Sequence, residues 1–279
     1  MNILDILLAI LYGIVEGITE WLPVSSTGHM IILEDFLHFQ NISEDFFELF
    51  LVVIQLGAIL AVILSFFTKL FPFGKSKPKE EKKEIWRTWG LILIACLPAA
   101  IIGLIFDDLL DQYLYNKLTV SITLIIYGIL FIVIEYFTSK KQINYEEVRN
   151  FSWKTALIIG GAQVLALIPG TSRSGVTILA ALLIGCSRSS ACEFSFYLSI
   201  PVMFGASLLK TVKFIMKGAV LSTNEIMILV VGCLVAFLVS LLIVKLLMKY
   251  IKKHDFKVFG YYRILLGIVL IILYIIQLV

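Results

Sequence analysis

The sequence predicts an all-α, polytopic membrane protein built as an inverted-topology repeat. Three observations carry that prediction. Of 279 residues, 60% are hydrophobic and only 15% charged, with a mean hydropathy of +0.99, a balance outside the range of soluble domains. Six apolar stretches reach the roughly 20 residues a spanning helix needs. Two further apolar regions are each broken by a proline and a polar cluster, so that neither arm is long enough to span.

In chain order, the first broken region pairs residues 3–15 with 26–37 around Pro23. Spans follow at 46–68, 86–106 and 117–138. The second broken region pairs 153–168 with 175–186 around Pro169-Gly170, and spans at 191–214, 225–248 and 258–278 complete the chain. At 1.5 Å per residue the short arms reach about 20 Å, less than a hydrocarbon core of about 30 Å. Paired short arms with a polar tip predict re-entrant helical hairpins, because irregular backbone survives at membrane depth only where protein or a wet cavity satisfies it. The order is hairpin, three spans, hairpin, three spans. An odd number of spans per half inverts the second half relative to the first. The chain is one membrane domain, 1–279, with repeat one at 1–138 and repeat two at 150–279.

Local similarity supports the repeat. Pro23-x-Ser25-Ser26 aligns with Pro169-x-Thr171-Ser172, and Thr27-Gly28 aligns with Ser174-Gly175 if Arg173 is an insertion; Glu48 and Glu193 each open the next span. Loop charge orients it. A basic loop at 69–87 holds seven Lys and Arg residues. The linker at 139–152 and its flank hold Lys140, Lys141, Arg149 and Lys154, and five lysines lie between 245 and 257. The positive-inside rule makes these segments cytoplasmic. Both termini are then outside, as are Asp107-Asp108-x-x-Asp111 and the acidic residues Glu34, Asp35, Glu44 and Asp45. Lys210, Lys213 and Lys217 fall on the outer side against the rule, and long lysines near a span end can snorkel. With no small-residue cleavage site after the first apolar stretch, the N-terminus is expected to be retained. Cys96, Cys186, Cys192 and Cys233 lack metal-ligand spacing and are expected to pack as small hydrophobes.

The chemistry concentrates in the two breaks. Glu16 and Glu20, at i and i+4, share one helix face and can share a proton or hold a divalent cation, Mg²⁺ or Ca²⁺. Ser25, Ser26, Thr27 and His29 follow, supplying hydroxyls, an imidazole and N-cap chemistry. The second break, Gly170-Thr171-Ser172-Arg173-Ser174-Gly175 with Thr177, surrounds the one arginine expected at the midplane with hydroxyls and backbone amides, which suits phosphate. The bland reading of each is a seam contact, an internal ion pair or a plain cap. Acidic and basic residues at membrane depth favour function. With both tips at the midplane, two half-helix N-termini face one cavity and make an anion site.

At these residues the chain resembles the undecaprenyl-diphosphate phosphatase family, the bacitracin-resistance proteins. The matching pieces are Glu16-x-x-x-Glu20-x-x-Pro23-Val24-Ser25-Ser26-Thr27-Gly28-His29 and Pro169-Gly170-Thr171-Ser172-Arg173-Ser174-Gly175-x-Thr177. Smaller matches are Phe47-Glu48 through Gln55-Leu56-Gly57, Glu193-Phe194-Ser195-Phe196 and Tyr262-Arg263-x-x-x-Gly267. The resemblance implies a plasma-membrane hydrolase. It would convert undecaprenyl diphosphate to undecaprenyl phosphate at the outer face with a divalent cation, recycling the carrier lipid for peptidoglycan synthesis. It also implies that Glu16, Glu20, Ser26, His29 and Arg173 matter, with Ser26 or His29 as nucleophile. The reading preferred here has Ser26 attacking and Glu20 as base. Glu16 (with Glu20) binds the cation, His29 protonates the leaving phosphate, and Arg173 and the surrounding donors (Ser25, Thr27, Gly170, Thr171, Ser172, Ser174, Thr177) hold the phosphates. A different lipid phosphatase superfamily is excluded, since Leu179 stands where its histidine follows the arginine. No nucleic-acid partner is expected, and a homodimer is compatible with the sequence. Two other readings stand beside the enzyme: a transporter or flippase of a phosphorylated polyprenyl lipid, and a structural protein whose polar hairpins lock helices together.

Overall fold

The structure, a computed structural model, describes residues 3–40, 42–74 and 77–278, and is nearly all helical. The expected outer acids Asp107, Asp108 and Asp111, and Lys75 of the basic loop, lie outside the described side chains. In chain order the helices are α1 Ile3–Thr19, α2 Ser26–Phe36, α3 Glu44–Ser65, the single turn α4 Phe67–Leu70, α5 Lys79–Leu114, α6 Lys117–Thr138, α7 Trp153–Gln163, α8 Arg173–Leu183, α9 Arg188–Met216, α10 Thr223–Tyr250 and α11 Lys257–Leu278. A 3₁₀ turn, Val164–Leu167, continues α7. Among the described residues six helices are long and apolar enough to cross a membrane: α3, α5, α6, α9, α10 and α11. They match the six expected spans.

Caps set where these helices begin, a little ahead of the apolar runs. Ser43, Asn116 and Ser187 each accept a backbone N–H three residues on, from Phe46, Thr119 and Ser190. Ser222 and Glu225 form a full capping box. The largest departure from expectation is α5. It starts inside the basic loop at Lys79 and runs 36 residues, about 54 Å. Lys, Glu and Arg there are good helix formers, and Glu80 and Glu81 in the first turn interact favourably with the positive end of the helix dipole. Hydropathy alone missed both extensions because it measures solvent preference, not helicity.

Small residues let the helices approach closely, as lipid-embedded packing requires. A Cβ built on Gly57 of α3 would lie 2.1 Å from the Cys233 carbonyl oxygen of α10. One built on Gly160 of α7 would lie 2.1 Å from that of Ala95 in α5. Gly13 and Gly17 of α1 sit against Gly232, Ala236 and Val239 of α10.

These contacts also give directions. On α3 and α9, Glu48 pairs with Lys210 (3.1 Å), Ser207 Oγ donates to the Val52 carbonyl (3.0 Å), and Lys69, just beyond α3, pairs with Glu193 near the start of α9 (2.7 Å); the two helices are antiparallel. Gly128 meets Gly260 and Ile264 while Gly267 meets Ser121 and Ile125, so α6 and α11 are antiparallel too. By the same test α1 runs parallel to α10 and α7 parallel to α5. Lys210 and Lys217, anomalous by loop charge, pair with Glu48 and Asp45 at the N-terminal end of α3, which offsets their charge.

Apolar side chains cover the outside. On α10, Leu234, Leu238, Leu242 and Leu246 are each at least half exposed. A continuous stripe of this kind is what lipid-facing helices carry and what soluble monomers avoid. This is a multi-pass membrane protein.

Candidate active site

Two helix breaks make the site. Helix α1 ends at Thr19, yet the Glu20 N–H still bonds the Glu16 carbonyl (3.0 Å), so the two acids stay one turn apart although Glu20 lies beyond the expected continuous helix. The chain then turns through Pro23 to Ser25, whose φ is 71° and ψ 102°, and α2 begins at Ser26. In the second break, Ser172 has φ 72° and ψ 116°, and α8 begins at Arg173. These serines are the non-glycine residues with positive φ among those described, and α2 and α8 each have 11 residues.

By backbone conformation the two breaks line up one residue away from the expected alignment. Ser25 corresponds to Ser172, Ser26 to Arg173, Thr27 to Ser174 and Gly28 to Gly175. The extra residue lies upstream, between Pro169 and Ser172, rather than at Arg173. Gly170 turns there at φ +84°, and only glycine fits, since a Cβ would fall 2.2 Å from Thr123 Oγ1.

The tips converge on Glu20. Its Oε1 accepts from Arg173 Nη2 at 2.9 Å and its Oε2 from Ser26 Oγ at 2.9 Å. Arg173 Nη1 donates to the Ser195 carbonyl at 2.6 Å. Ser174 Oγ reaches the Glu20 carbonyl (3.3 Å), and Thr177 Oγ1 lies 2.8 Å from Ser195 Oγ. A carboxylate at the negative C-terminal end of α1 is unfavourable alone; the guanidinium from the opposite tip compensates it.

Arg263 of α11 is a second buried arginine, at 0% exposure, and corrects the expectation that Arg173 stands alone at depth. It donates to the carbonyls of Pro23 (3.3 Å), Gly170 (2.8 Å) and Thr171 (3.0 Å), joining both loops through their backbones. His29 braces the first loop: Nδ1 is 2.7 Å from the Ser25 carbonyl, which only accepts, so Nδ1 carries the proton. Its Nε2 is 2.7 Å from the Tyr262 hydroxyl.

A cavity of about 470 Å³ lies between the tips, lined by Glu20, Ser25, Ser26, Thr27, Gly170, Ser172, Arg173 and Gln163, and walled by Ala99, Ala100 and Gly103 of α5 and Val202, Gly205 and Ala206 of α9. Thr171, Ser174 and Thr177 are buried and stand behind this lining, as does Glu16. Ser25 caps none of the α2 amides with its side chain, whereas Ser172 Oγ accepts from Gly175 N. The first tip therefore presents backbone donors and an unpartnered Ser25 Oγ, and Arg173 keeps an unpartnered Nε.

The chain matches the family model "Bacitracin resistance protein BacA" over residues 9–269. It belongs to that family. Among curated relatives, an undecaprenyl-diphosphatase of Enterococcus faecalis is 57% identical over 94% of this chain and 95% of the relative. One of Acetivibrio thermocellus is 55% identical over 96% and 97%, and one of Streptococcus mutans 51% over 97% and 96%.

For a member of the BacA family, the residues sequence reasoning passed over are Arg263, Ser195, Tyr262 and Gln163. Three of these sit in or beside the smaller family matches. The donor set fits a hard divalent cation: Glu16 is 1% exposed with Oε1 unpartnered, one turn from Glu20. Among the described residues no three His, Cys, Asp or Glu side chains converge, so the protein would offer such a cation the carboxylates of Glu16 and Glu20 alone.

Proposed function

We propose that this chain hydrolyses undecaprenyl diphosphate to undecaprenyl phosphate and inorganic phosphate, recycling the carrier lipid for peptidoglycan synthesis and so conferring bacitracin resistance. The observation that carries the reading is the single Glu20 carboxylate bound at 2.9 Å to a hydroxyl from one tip and at 2.9 Å to a guanidinium from the other. A nucleophile, its base and an anion-binding cation thus share one cavity.

Ser26 Oγ attacks the terminal phosphorus while Glu20 Oε2 takes its proton. The new O–P bond forms as the bond to the bridging oxygen breaks, and undecaprenyl phosphate departs with the electron pair and the proton from Glu20. Water then attacks the phosphoserine with Glu20 again as base, and the proton returns to Ser26 as inorganic phosphate leaves. Arg173, through Nε, and the α2 amides bind the non-bridging oxygens whose charge must be held during transfer. Ser25, Thr27, Gly170 and Ser172 contact the headgroup, while Thr171, Ser174 and Thr177 support the second tip from behind. Glu16 and Glu20 would hold the divalent cation, which supplies charge neutralisation and phosphoryl polarisation. His29 braces the Ser25 turn; with its proton on Nδ1, serving as the expected acid for the leaving phosphate would require a second proton on Nε2 and release of Tyr262, and the Glu20 proton takes that role in this sequence of steps.

The placement in the membrane follows the same reading: two re-entrant hairpins, repeats at 1–138 and 150–279 of opposite orientation, both termini outside and a cavity open to the outer face. It is supported by the antiparallel pairs α3–α9 and α6–α11, each joining corresponding helices, and by the parallel pairs α1–α10 and α7–α5, which exchange under the repeat. The parts of α5 and α9 that line the cavity, within 96–104 and 201–209, run from the middle of each helix away from the basic segments at 69–87 and 139–154, and on α9 they stop next to Lys210. Small side chains along both walls leave room for a prenyl chain to pass into lipid.

The test is phosphate release from undecaprenyl diphosphate by pure protein in detergent with Mg²⁺ or Ca²⁺, with undecaprenyl phosphate as the lipid product. Intact substrate after prolonged incubation refutes the reading. One observation favours a second activity, passage of the headgroup across the membrane: a basin of about 1190 Å³ lies at the opposite ends of the helices, lined by Lys69, Glu193, Lys245 and Lys249. Labelled lipid crossing liposomes without phosphate release would select it.

A further inference from the structure

We propose that Gln163 binds the substrate, its side-chain amide donating to a diphosphate oxygen from the second half of the molecule. The inference rests on the diphosphatase reading and adds a residue to that site.

Position is the first argument. Gln163 is the last residue of α7, the helix that enters the second break, as Glu16 lies in the last turn of α1 before the first.

Burial is the second. Gln163 is 2% exposed, yet it lines the cavity, and neither Oε1 nor Nε2 has a partner among the described residues. A buried amide without hydrogen bonds is strongly unfavourable. The cavity that Gln163 borders is where the proposal finds those bonds, with the headgroup as the acceptor when substrate binds.

Chemistry is the third. Phosphate oxygens only accept, and a glutamine amide offers two N–H donors. The first tip already brings two carboxylates, Glu16 and Glu20, while a third acid at 163 would face a polyanion. A neutral amide supplies donors on that side without adding repulsion or competing with Glu16 for a cation.

The experiment compares purified full-length protein with Gln163→Met, which keeps length and removes the donors, and Gln163→Glu, which keeps shape and adds charge. Steady-state hydrolysis of undecaprenyl diphosphate is measured with Mg²⁺, along with competition by inorganic diphosphate. Loss of a hydrogen bond to a charged group predicts a KM and an inhibition constant raised about tenfold in Gln163→Met, with kcat within about threefold, and a larger rise in Gln163→Glu. Unchanged KM in both variants overturns the proposal, as does a Gln163→Glu enzyme that binds as well as wild type. Where Gln163→Met does not fold, the isosteric Gln163→Glu carries the test. An inactive wild type instead refutes the diphosphatase reading on which the proposal stands.

Discussion

Ser25 and Ser172 hold the same strained backbone, φ 71° and 72°, at the same step of two different loops. Each turns the chain sharply enough to start a helix whose N-terminus faces the shared cavity. L-residues occupy this region at a cost of about 1–3 kcal/mol, and such strain concentrates at functional sites. Ser25→Gly removes that strain and sacrifices no cap, so it should raise the unfolding temperature while lowering kcat/KM. Ser172→Gly also loses the bond to Gly175 N, a cap worth about 1 kcal/mol, and should leave stability nearly unchanged. Thermal unfolding and phosphate release on both variants check the pair. A Ser25→Gly protein that is less stable would show that the turn is not strained.

Arg263 ties the loops without lining the cavity. Arg263→Met leaves the carbonyls of Pro23, Gly170 and Thr171 unsatisfied, and each such loss costs about 1–3 kcal/mol. A lysine, with one compact ammonium, cannot serve both loops in the planar geometry of a guanidinium. Both variants should unfold earlier and lose activity, Arg263→Met more severely. Wild-type activity in Arg263→Met would remove the residue from the account.

Glycine contacts predict stability position by position. Gly57→Ala and Gly160→Ala force a Cβ to within 2.1 Å of a carbonyl oxygen and should separate α3 from α10 and α5 from α7, each at more than about 2 kcal/mol by overpacking. Gly90→Ala and Gly161→Ala meet nothing within 4 Å and should be neutral or stabilising by about 0.5–1 kcal/mol. Melting curves of the four variants decide it, and the adjacent pair Gly160 and Gly161 is the sharpest comparison.

Glu16 offers a cation-specific prediction. Glu16→Gln keeps shape and removes charge, so the Mg²⁺ concentration for half-maximal activity should rise about tenfold or more, since charge count sets affinity for hard cations. An unchanged Mg²⁺ dependence would take Glu16 out of the cation site.

The six spans were legible because uninterrupted apolar length has one physical meaning at membrane depth. Glu20, Ser26 and Arg173 were legible because charge there is costly and stands out against Leu and Ile. The conformational match between the two breaks was not: it depends on the φ of two serines, and serine gives no sign of positive φ as glycine would. Arg263 was hidden by its position a few residues into α11, where a snorkelling arginine is unremarkable. Gln163 was hidden because a single amide at a helix end carries no charge to flag it. The long α5 escaped because its ends are polar, and helix propensity rather than hydropathy sets them.

The central claim is that the two tips act as one site around a diphosphate, and phosphate release from undecaprenyl diphosphate tests it most directly. Glu20→Gln alters the first tip and Arg173→Lys the second. Removing one positioned electrostatic partner at a reacting centre costs about 10²–10³ in kcat, so each variant should lose at least that much while folding and extracting as wild type does. Full activity in either one, with the other inactive, would mean that a single loop performs the reaction and would contradict the account.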